Sequence, residues 1–265
     1  MKYISLLLVV FVFVSCRTDR VSYEETGRFQ LAAPIINVDS ILFKETTKVT
    51  MSFGFPNSKI HYTLDGTEVD QVSAIYGDPI VLNQAATIKA KAFHHDFKSS
   101  EQVAAQVEKI THNISDASIT IEPQPHANYP GLGAKGLVDM QKGSSQFRSG
   151  DKWLGFQADK TTITLDLAKE LQLSLLKVSC LQNQGGWIFA PKKITVFSES
   201  GQIGEITLDD TAKKQENQLK IMVVPIVAGS YSKLKVVVTA LNEIPEWHPG
   251  KGTLPWLFLD EILVE

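Results

Sequence analysis

Cysteine is scarce in this sequence, which contains only Cys16 and Cys180 among 265 residues. Two cysteines cannot build the disulfide network that holds together small secreted scaffolds, so the folded part must depend on apolar cores. Strong charge of either sign is also missing, since the formal net charge is −3. This balance gives no reason to expect nucleic acid or an anionic membrane surface as a partner.

Recognisable catalytic motifs are missing as well. The chain has no Gly-x-Ser-x-Gly nucleophile elbow, no P-loop and no Cys-x-x-Cys pair. A glycosidase needs two carboxyl groups about 5 to 9.5 Å apart across a cleft, and the acidic residues here fall in no such recognisable pattern. We therefore predict that the protein is not an enzyme.

A single long apolar run is present, at residues 4–14, after the positive charge of Lys2. It is shorter than the about 20 residues that span a bilayer as a helix, and it is typical of an export signal. The run ends in Ser15 and Cys16 before polar residues, which resembles the lipobox of bacterial lipoproteins. That resemblance implies cleavage before Cys16 and acylation of this residue. The alternative is an ordinary signal peptide in which the cysteine is incidental.

Residues 31–110 contain short runs in which polar and apolar side chains alternate. The runs at 48–53, 59–64 and 86–93 have the period of β-strands, and Asp65-Gly66 is typical of a hairpin turn. No helical period competes with this pattern. We predict a small antiparallel, immunoglobulin-like sandwich.

Three motifs make this segment recognisable. In order they are Ile-His-Tyr-Thr-Leu-Asp-Gly-Thr at 60–67, Ser-Ala-Ile-Tyr-Gly-Asp-Pro-Ile at 73–80 and Thr-Ile-Lys-Ala-Lys-Ala-Phe at 87–93. They resemble the C-terminal domain of chitobiases and β-hexosaminidases, with Val69 where proline is usual. The resemblance implies a non-catalytic module that accompanies glycoside hydrolases, either as a spacer or as a binding surface.

Residues 115–265 contain a second and longer set of alternating runs, separated by Gly, Pro, Asn and Asp. They lie at 162–167, 176–181, 193–197, 219–223 and 234–238. A segment of about 150 residues with this pattern fits a jelly-roll sandwich of about eight strands. We predict an all-β chain in which this jelly roll follows the immunoglobulin-like sandwich.

The tryptophans of the second segment lie at or beside predicted strand ends, near Gly and Pro. A tryptophan on a loop is unfavourable unless it packs or binds something. Sugar rings have flat apolar faces that stack on aromatic rings, and their hydroxyl groups need polar partners. We therefore predict a carbohydrate-binding surface that uses Trp187, Trp247, His248, Trp153 and Arg148. The alternative is that these tryptophans fill the ends of the sandwich.

Further motifs mark a second resemblance. Gly136 to Ser144, Trp-Leu-Gly-Phe at 153–156, Gln-Gly-Gly-Trp-Ile-Phe-Ala-Pro at 184–191 and the closing run at 256–262 resemble the discoidin-type (coagulation factor 5/8 type C), galactose-binding-like domain. Met140 stands where this domain usually has glycine. The resemblance implies a galactose-binding-like jelly roll with a glycan ligand.

Two carboxylates interrupt the last apolar run. Alternation along a strand would point Asp260 and Glu261 to opposite faces, and a lone charge in the interior is costly. Resemblance to discoidin-type sugar modules implies a structural Ca²⁺ held by Asp139, Ser144 and Glu261. The alternatives are a salt bridge from Lys or Arg, or plain exposure.

Together these predictions describe a non-catalytic, carbohydrate-binding envelope lipoprotein. Its predicted parts are a signal peptide with the lipobox cysteine at 1–16, a tether at 17–30, an immunoglobulin-like module at 31–110 and a discoidin-type domain at 115–265. We expect it at the bacterial outer membrane, on the periplasmic or cell-surface side, held only by lipid. There it would bind a glycan beside glycoside hydrolases. The alternatives are a protein-interaction subunit of an envelope complex and an accessory remnant of a glycoside hydrolase.

Overall fold

The computed structural model describes Gly27 and residues 29–148, 152–209, 212–215 and 217–265. The regular elements in these ranges are β-strands and short 3₁₀ helices, which confirms the predicted all-β class. None of the helices among these residues is long and apolar enough to cross a bilayer. The predicted signal peptide and most of the predicted tether lie outside the described residues.

The first module, residues 31–110, contains two sheets. Its strands are β1 (Ile35–Val38), β2 (Leu42–Phe43), β3 (Thr47–Ser52), β4 (Lys59–Thr63), β5 (Ala74–Ile75), β6 (Ile80–Leu82), β7 (Ala86–Phe93) and β8 (Val103–Lys109). One sheet has the order β1-β3-β6, and the other has the order β2-β8-β7-β4-β5. Alternate side chains of β3 and β7, among them Val49 and Ile88, are fully buried and form the core between the sheets.

The second module, residues 115–265, is built on two long strands. Its elements are β9 (Ser118–Glu122), a 3₁₀ helix (Gly133–Leu137), β10 (Leu154–Phe156), β11 (Lys160–Gln182), a second 3₁₀ helix (Gln184–Gly186), β12 (Lys193–Ser198), β13 (Gly201–Thr207), β14 (Gln218–Thr239) and β15 (Leu257–Val264). β11 and β14 pair along most of their length. β9 pairs with the first half of β11, whereas β15 pairs with the second half. Both halves bury their inward side chains in one core, which makes the module a sandwich.

The sequence pattern predicted two separate strands for each of these long strands, and this prediction is wrong. The runs at 162–167 and 176–181 both belong to β11, and the runs at 219–223 and 234–238 both belong to β14. The register of β11 against β14 shifts between Asp166 and Leu171 and again before Leu175, so the ladder bends without ending. A break in alternation therefore marked a bend here, not a loop.

The spacing Gly-x-Gly-x-x-Gly occurs at 131–136 in the second module. In dinucleotide-binding folds this spacing joins a strand to the start of an α-helix. Here it leads into the short 3₁₀ helix Gly133–Leu137, and that helix is followed by a loop. The motif therefore lacks the context that would give it that function.

Candidate functional site

Trp187 is presented at one end of the second module by a rigid turn. It follows the 3₁₀ helix Gln184–Gly186 with a left-handed φ of 65°. Its N–H donates to the carbonyl of Gln184 at 2.9 Å, and its carbonyl accepts from the N–H of Trp256 at 2.9 Å. A non-glycine residue in this conformation costs about 1 kcal/mol or more, so the surrounding contacts must hold it. The side chain is nevertheless 42% exposed.

Trp247 lies on a neighbouring loop and is similarly exposed, at 43%. Its indole N–H donates to the carbonyl of Ala212 at 2.7 Å, which ties the ring to the segment before β14. The absence of a side chain at Gly250 allows the Trp187 indole to pack against this loop. A Cβ at Gly250 would lie 3.1 Å from three atoms of the Trp187 indole. The fold thus presents two partly exposed indoles at the same end of the module.

His248 separates the two indoles. Its ring centroid lies 5.9 Å from that of Trp187 and 5.4 Å from that of Trp247, edge-on in both cases. Nδ1 accepts from the N–H of Gly250 at 3.0 Å, so the proton is on Nε2, which donates to the carbonyl of Gln184 at 2.8 Å. The ring is buried and both nitrogens are used. The structure therefore does not present His248 to a ligand as predicted, and its ring packs edge-on against the two tryptophans.

A shallow depression of about 290 Å³ adjoins the turn before Trp187. It is lined by Ser145, Gln146, Phe147, Arg148, Asn183, Gly185 and Gly186. Phe147 forms its buried base and packs so closely that a Cβ at Gly186 would lie 2.8 Å from the ring. The guanidinium of Arg148 lies 5.5 Å from the centroid of that ring and is exposed. The structure therefore brings Arg148 near the turn that carries Trp187, as a cationic group beside an aromatic surface.

Trp153 has a different position. It is 1% exposed, and its indole N–H donates to the carbonyl of Ser144 at 2.9 Å. A Cβ at Gly143 would lie 2.4 Å from the indole, so the loop runs directly across the ring. The prediction that Trp153 binds carbohydrate is wrong. This ring packs in the interior with Phe258, as the alternative interpretation had it.

A β-bulge in β15 changes the expected placement of Asp260 and Glu261. The register against β11 passes from Cys180–Leu259 to Ser179–Glu261, which leaves Asp260 as the extra residue. Both carboxylates are fully buried, and both contact residues 141–143. The expectation that they point to opposite faces is therefore wrong.

Lys142 neutralises one of these carboxylates, and sequence analysis missed it. Its Nζ lies 2.8 Å from Oδ2 of Asp260 and 3.1 Å from Oδ1, and it also contacts the Ser179 hydroxyl. The N–H of Gly143 donates to Oδ2 of Asp260 at 2.7 Å. Side-chain exposure is 3% for Lys142 and 0% for Asp260. A lysine between Gln141 and Gly143 gives no sequence signal for a buried ion pair, because its partner lies 118 residues away.

Asp139 and Glu261 form a second group with no equivalent neutralisation. The N–H of Gln141 donates to Oδ1 of Asp139 at 2.9 Å and to Oε1 of Glu261 at 3.0 Å, so the carboxylates converge on one donor. With both groups ionised, Oδ2 of Asp139 and Oε2 of Glu261 are buried and have no hydrogen-bond donor among the described residues. Burial, followed by a side-chain hydrogen bond with Asp139 and by the charge of that residue, raises the pKa of Glu261 to about 9. Lys152 forms an ion pair with Asp139, but the distance from its Nζ to Oδ2 of Asp139 is long, at 3.8 Å.

This arrangement fits a hard cation at the carboxylate pair. Ca²⁺ binds six to eight oxygen atoms, and two buried carboxylate oxygens without partners are ligands of the right type. Ser144 is placed differently from what was predicted. Its hydroxyl accepts from the N–H of Gln146 at 3.2 Å, and among the described residues no hydrogen bond joins it to Asp139 or Glu261. The structure brings two of the three predicted ligands together.

Comparison with known families gives one match. Residues 40–105 match the model of the chitobiase/β-hexosaminidase C-terminal domain. This confirms the resemblance predicted for the first module, and the match is to an accessory domain, not to a catalytic one. It covers a minor part of the chain. No curated protein sequence matches the chain.

Several solved structures are similar in overall shape. The lectin domain of lectinolysin, solved with Lewis B antigen, has a TM-score of 0.40 at 15% identity and covers 59% of this chain and 97% of its own. The C-terminal domain of a chitobiase from Bacteroides fragilis has a TM-score of 0.37 at 16% identity, with coverages of 58% and 95%. A SusE-like protein has a TM-score of 0.39 at 11% identity, with coverages of 86% and 95%. Similarity at this level establishes neither a shared family nor a shared ligand.

Proposed function

We propose that the protein is a non-catalytic carbohydrate-binding protein and that the surface around Trp187 and Trp247 is its binding site. The observation that carries this proposal is that both indoles are more than 40% exposed although the backbone around them is fixed. Large aromatic side chains held rigidly in solvent are typical of binding sites, because little conformational entropy is lost when a ligand covers them.

Polar groups beside the indoles suit a saccharide ligand. The exposed guanidinium of Arg148 and the neighbouring Asn183 line the depression next to Trp187. Stacking on an indole would take the apolar face of a sugar ring, while these groups would bind its hydroxyl or carboxylate oxygens. A ligand large enough to reach both tryptophans would be an oligosaccharide or a polysaccharide chain.

Calorimetry against a panel of soluble glycans tests the proposal. For a glycan that binds, Trp187→Ala and Trp247→Ala should each weaken affinity at least about tenfold, which corresponds to about 1.4 kcal/mol. Phe55→Ala is the matched control, since Phe55 is an aromatic residue of the first module with 42% exposure. Absence of binding across the panel, together with a stoichiometric protein partner in pull-downs, would replace this proposal by the protein-interaction alternative.

We further propose that Asp139 and Glu261 hold a structural Ca²⁺, with carbonyl groups of the loop and water completing its coordination. One buried oxygen of each residue, without a hydrogen-bond donor among the described residues, supports this proposal. When bound, the cation would add its positive charge to that of Lys152, which lies 3.8 Å from Asp139, and it would fix the loop to β15. A calorimetric titration of chelator-treated protein with Ca²⁺ tests it, and Glu261→Gln should abolish the binding.

We also propose that the chain is a lipoprotein of the bacterial outer membrane, acylated at Cys16. The support is the apolar run at 4–14 that ends at this cysteine. Incorporation of labelled palmitate in a bacterial host, lost in Cys16→Ala, would support the anchor. Efficient export of an unlabelled protein would instead favour an ordinary signal peptide.

A further inference from the structure

The two modules contact each other through a small apolar cluster. Leu42 of β2 and Ile110 after β8, both from the first module, pack with Leu263 of β15, and all three are buried. Met140 of the second module packs against the same cluster. We call this cluster the junction. It lies on the face of β15 that points away from the main core, since Ile262 and Val264 belong to that core and Leu263 does not.

Polar contacts surround the junction and make it specific. Nζ of Lys177 lies 3.1 Å from Oε2 of Glu108 and 4.0 Å from Oε1 of Glu265, and all three side chains are less than 15% exposed. The N–H of Thr111, directly after the first module, donates to Oε2 of Glu265 at 2.9 Å. A contact with an apolar centre and a charged rim has one preferred geometry, unlike a flexible linker.

Met140 connects the junction to the carboxylate pair. It lies between Asp139 and Gln141 in the chain, and its left-handed φ of 62° turns the loop sharply at this point. Gln141 supplies the N–H that both carboxylates share. Glu261 and Leu263 are two residues apart on β15, so the carboxylate pair and the junction are neighbours on one strand.

We propose that a divalent cation held by Asp139 and Glu261 strengthens the contact between the two modules, with Met140 as the connecting side chain. This inference rests on the calcium site proposed above. Without a cation, the N–H of Gln141 is shared by Asp139 and Glu261, and Oδ2 of Asp139 and Oε2 of Glu261 have no hydrogen-bond donor among the described residues. A bound cation would join these two oxygens and hold the loop against β15. It would thereby keep Met140, which follows Asp139 in the chain, in the junction.

Amide hydrogen exchange of the full chain measures this coupling. The N–H of Thr111, the residue after Ile110 of the junction, is bonded to a side chain of the second module, so its exchange reports opening of the junction. Addition of Ca²⁺ to chelator-treated protein should slow this exchange about 5- to 150-fold, the usual range of coupling between sites. The control amide is that of Tyr76, which donates to the Ile60 carbonyl within the first module and should not respond.

Reciprocity supplies an independent test. If the cation favours the closed junction, loosening the junction must lower cation affinity by up to the same factor. Leu42→Ala removes an apolar contact of the junction without touching the loop. Leu82→Ala removes an equally buried leucine from the core of the first module and is the matched control. We expect weaker Ca²⁺ binding in the first variant and unchanged binding in the second.

The possible outcomes separate this inference from the proposals beneath it. Ca²⁺ binding that leaves Thr111 exchange unchanged would overturn the coupling and leave the cation site intact. Absence of Ca²⁺ binding to the unmodified chain would overturn both, whereas the glycan proposal would be unaffected. The exchange measurement on the unmodified chain needs no variant, so it decides the question even if Leu42→Ala does not fold.

Discussion

Replacement of Lys142 by methionine is predicted to destabilise the second module strongly. Methionine keeps the length of the side chain but cannot donate to Asp260, which is fully buried and would keep only the N–H of Gly143 as a partner. Removing one partner of a buried ion pair costs about 3–5 kcal/mol, because the remaining charge stays desolvated. The additional change Asp260→Asn should restore most of this loss, since asparagine carries no charge and still accepts from Gly143.

Urea unfolding followed by tryptophan fluorescence measures this effect in the right module, because Trp153, Trp187, Trp247 and Trp256 are all in the second one. The matched control is Lys251→Met, which breaks an ion pair of 2.9 Å whose side chains are 61% and 88% exposed. Exposed pairs contribute about 0–1 kcal/mol. The reasoning is refuted if Lys142→Met lowers the free energy of unfolding no more than this control does. It is also refuted if the loss in the double variant equals the sum of the losses in Lys142→Met and Asp260→Asn alone.

Three further predictions follow from burial. Trp153→Ala should cost about 3–5 kcal/mol of stability, whereas Trp247→Ala should barely shift the urea midpoint, because only the first indole is buried. In metal-free protein the pKa of Glu261 is raised from 4.5 to about 9. Between these pH values the Glu261 carboxyl group keeps its proton in the folded state and loses it in the unfolded state. Stability should therefore fall from about pH 5 to about pH 8, and a flat urea midpoint over that range, or one that Glu261→Gln leaves sloping, would contradict this. Burial raises the pKa of the Cys180 thiol to about 12, so a thiol reagent should label it only after unfolding, and rapid labelling of native protein would show that this burial is wrong.

Three of the eight strands of the first module could be predicted, because each of the three is short and alternates regularly. The expected strand at 86–93 has those bounds in β7, and the run at 59–64 becomes β4, one residue shorter. Alternation is a strong signal when a strand has one buried face and one exposed face, and turns such as Asp65-Gly66 mark its ends. In the second module, alternation predicted two strands for each of the long strands β11 and β14. These strands bend, and both of their halves bury side chains in one core.

The candidate site was only partly predictable for a related reason. The positions of the tryptophans near Gly and Pro predicted that they lie at strand ends, but local sequence could not separate exposed Trp187 from buried Trp153. What buries Trp153 is the close passage of Gly143, and what fixes His248 is a carbonyl 64 residues away. The extra residue at Asp260 likewise depends on pairing with a distant strand, so no period in its own run reveals it.

Indole N–H resonances give the most direct test of the carbohydrate proposal. In a ¹⁵N-labelled protein each of the four tryptophans contributes one such signal, and single Trp→Phe variants assign them. Titration with a glycan that binds should shift the signals of Trp187 and Trp247 and leave that of Trp153, which donates to the Ser144 carbonyl inside the module, in place. A glycan that binds without moving either exposed indole would contradict the account.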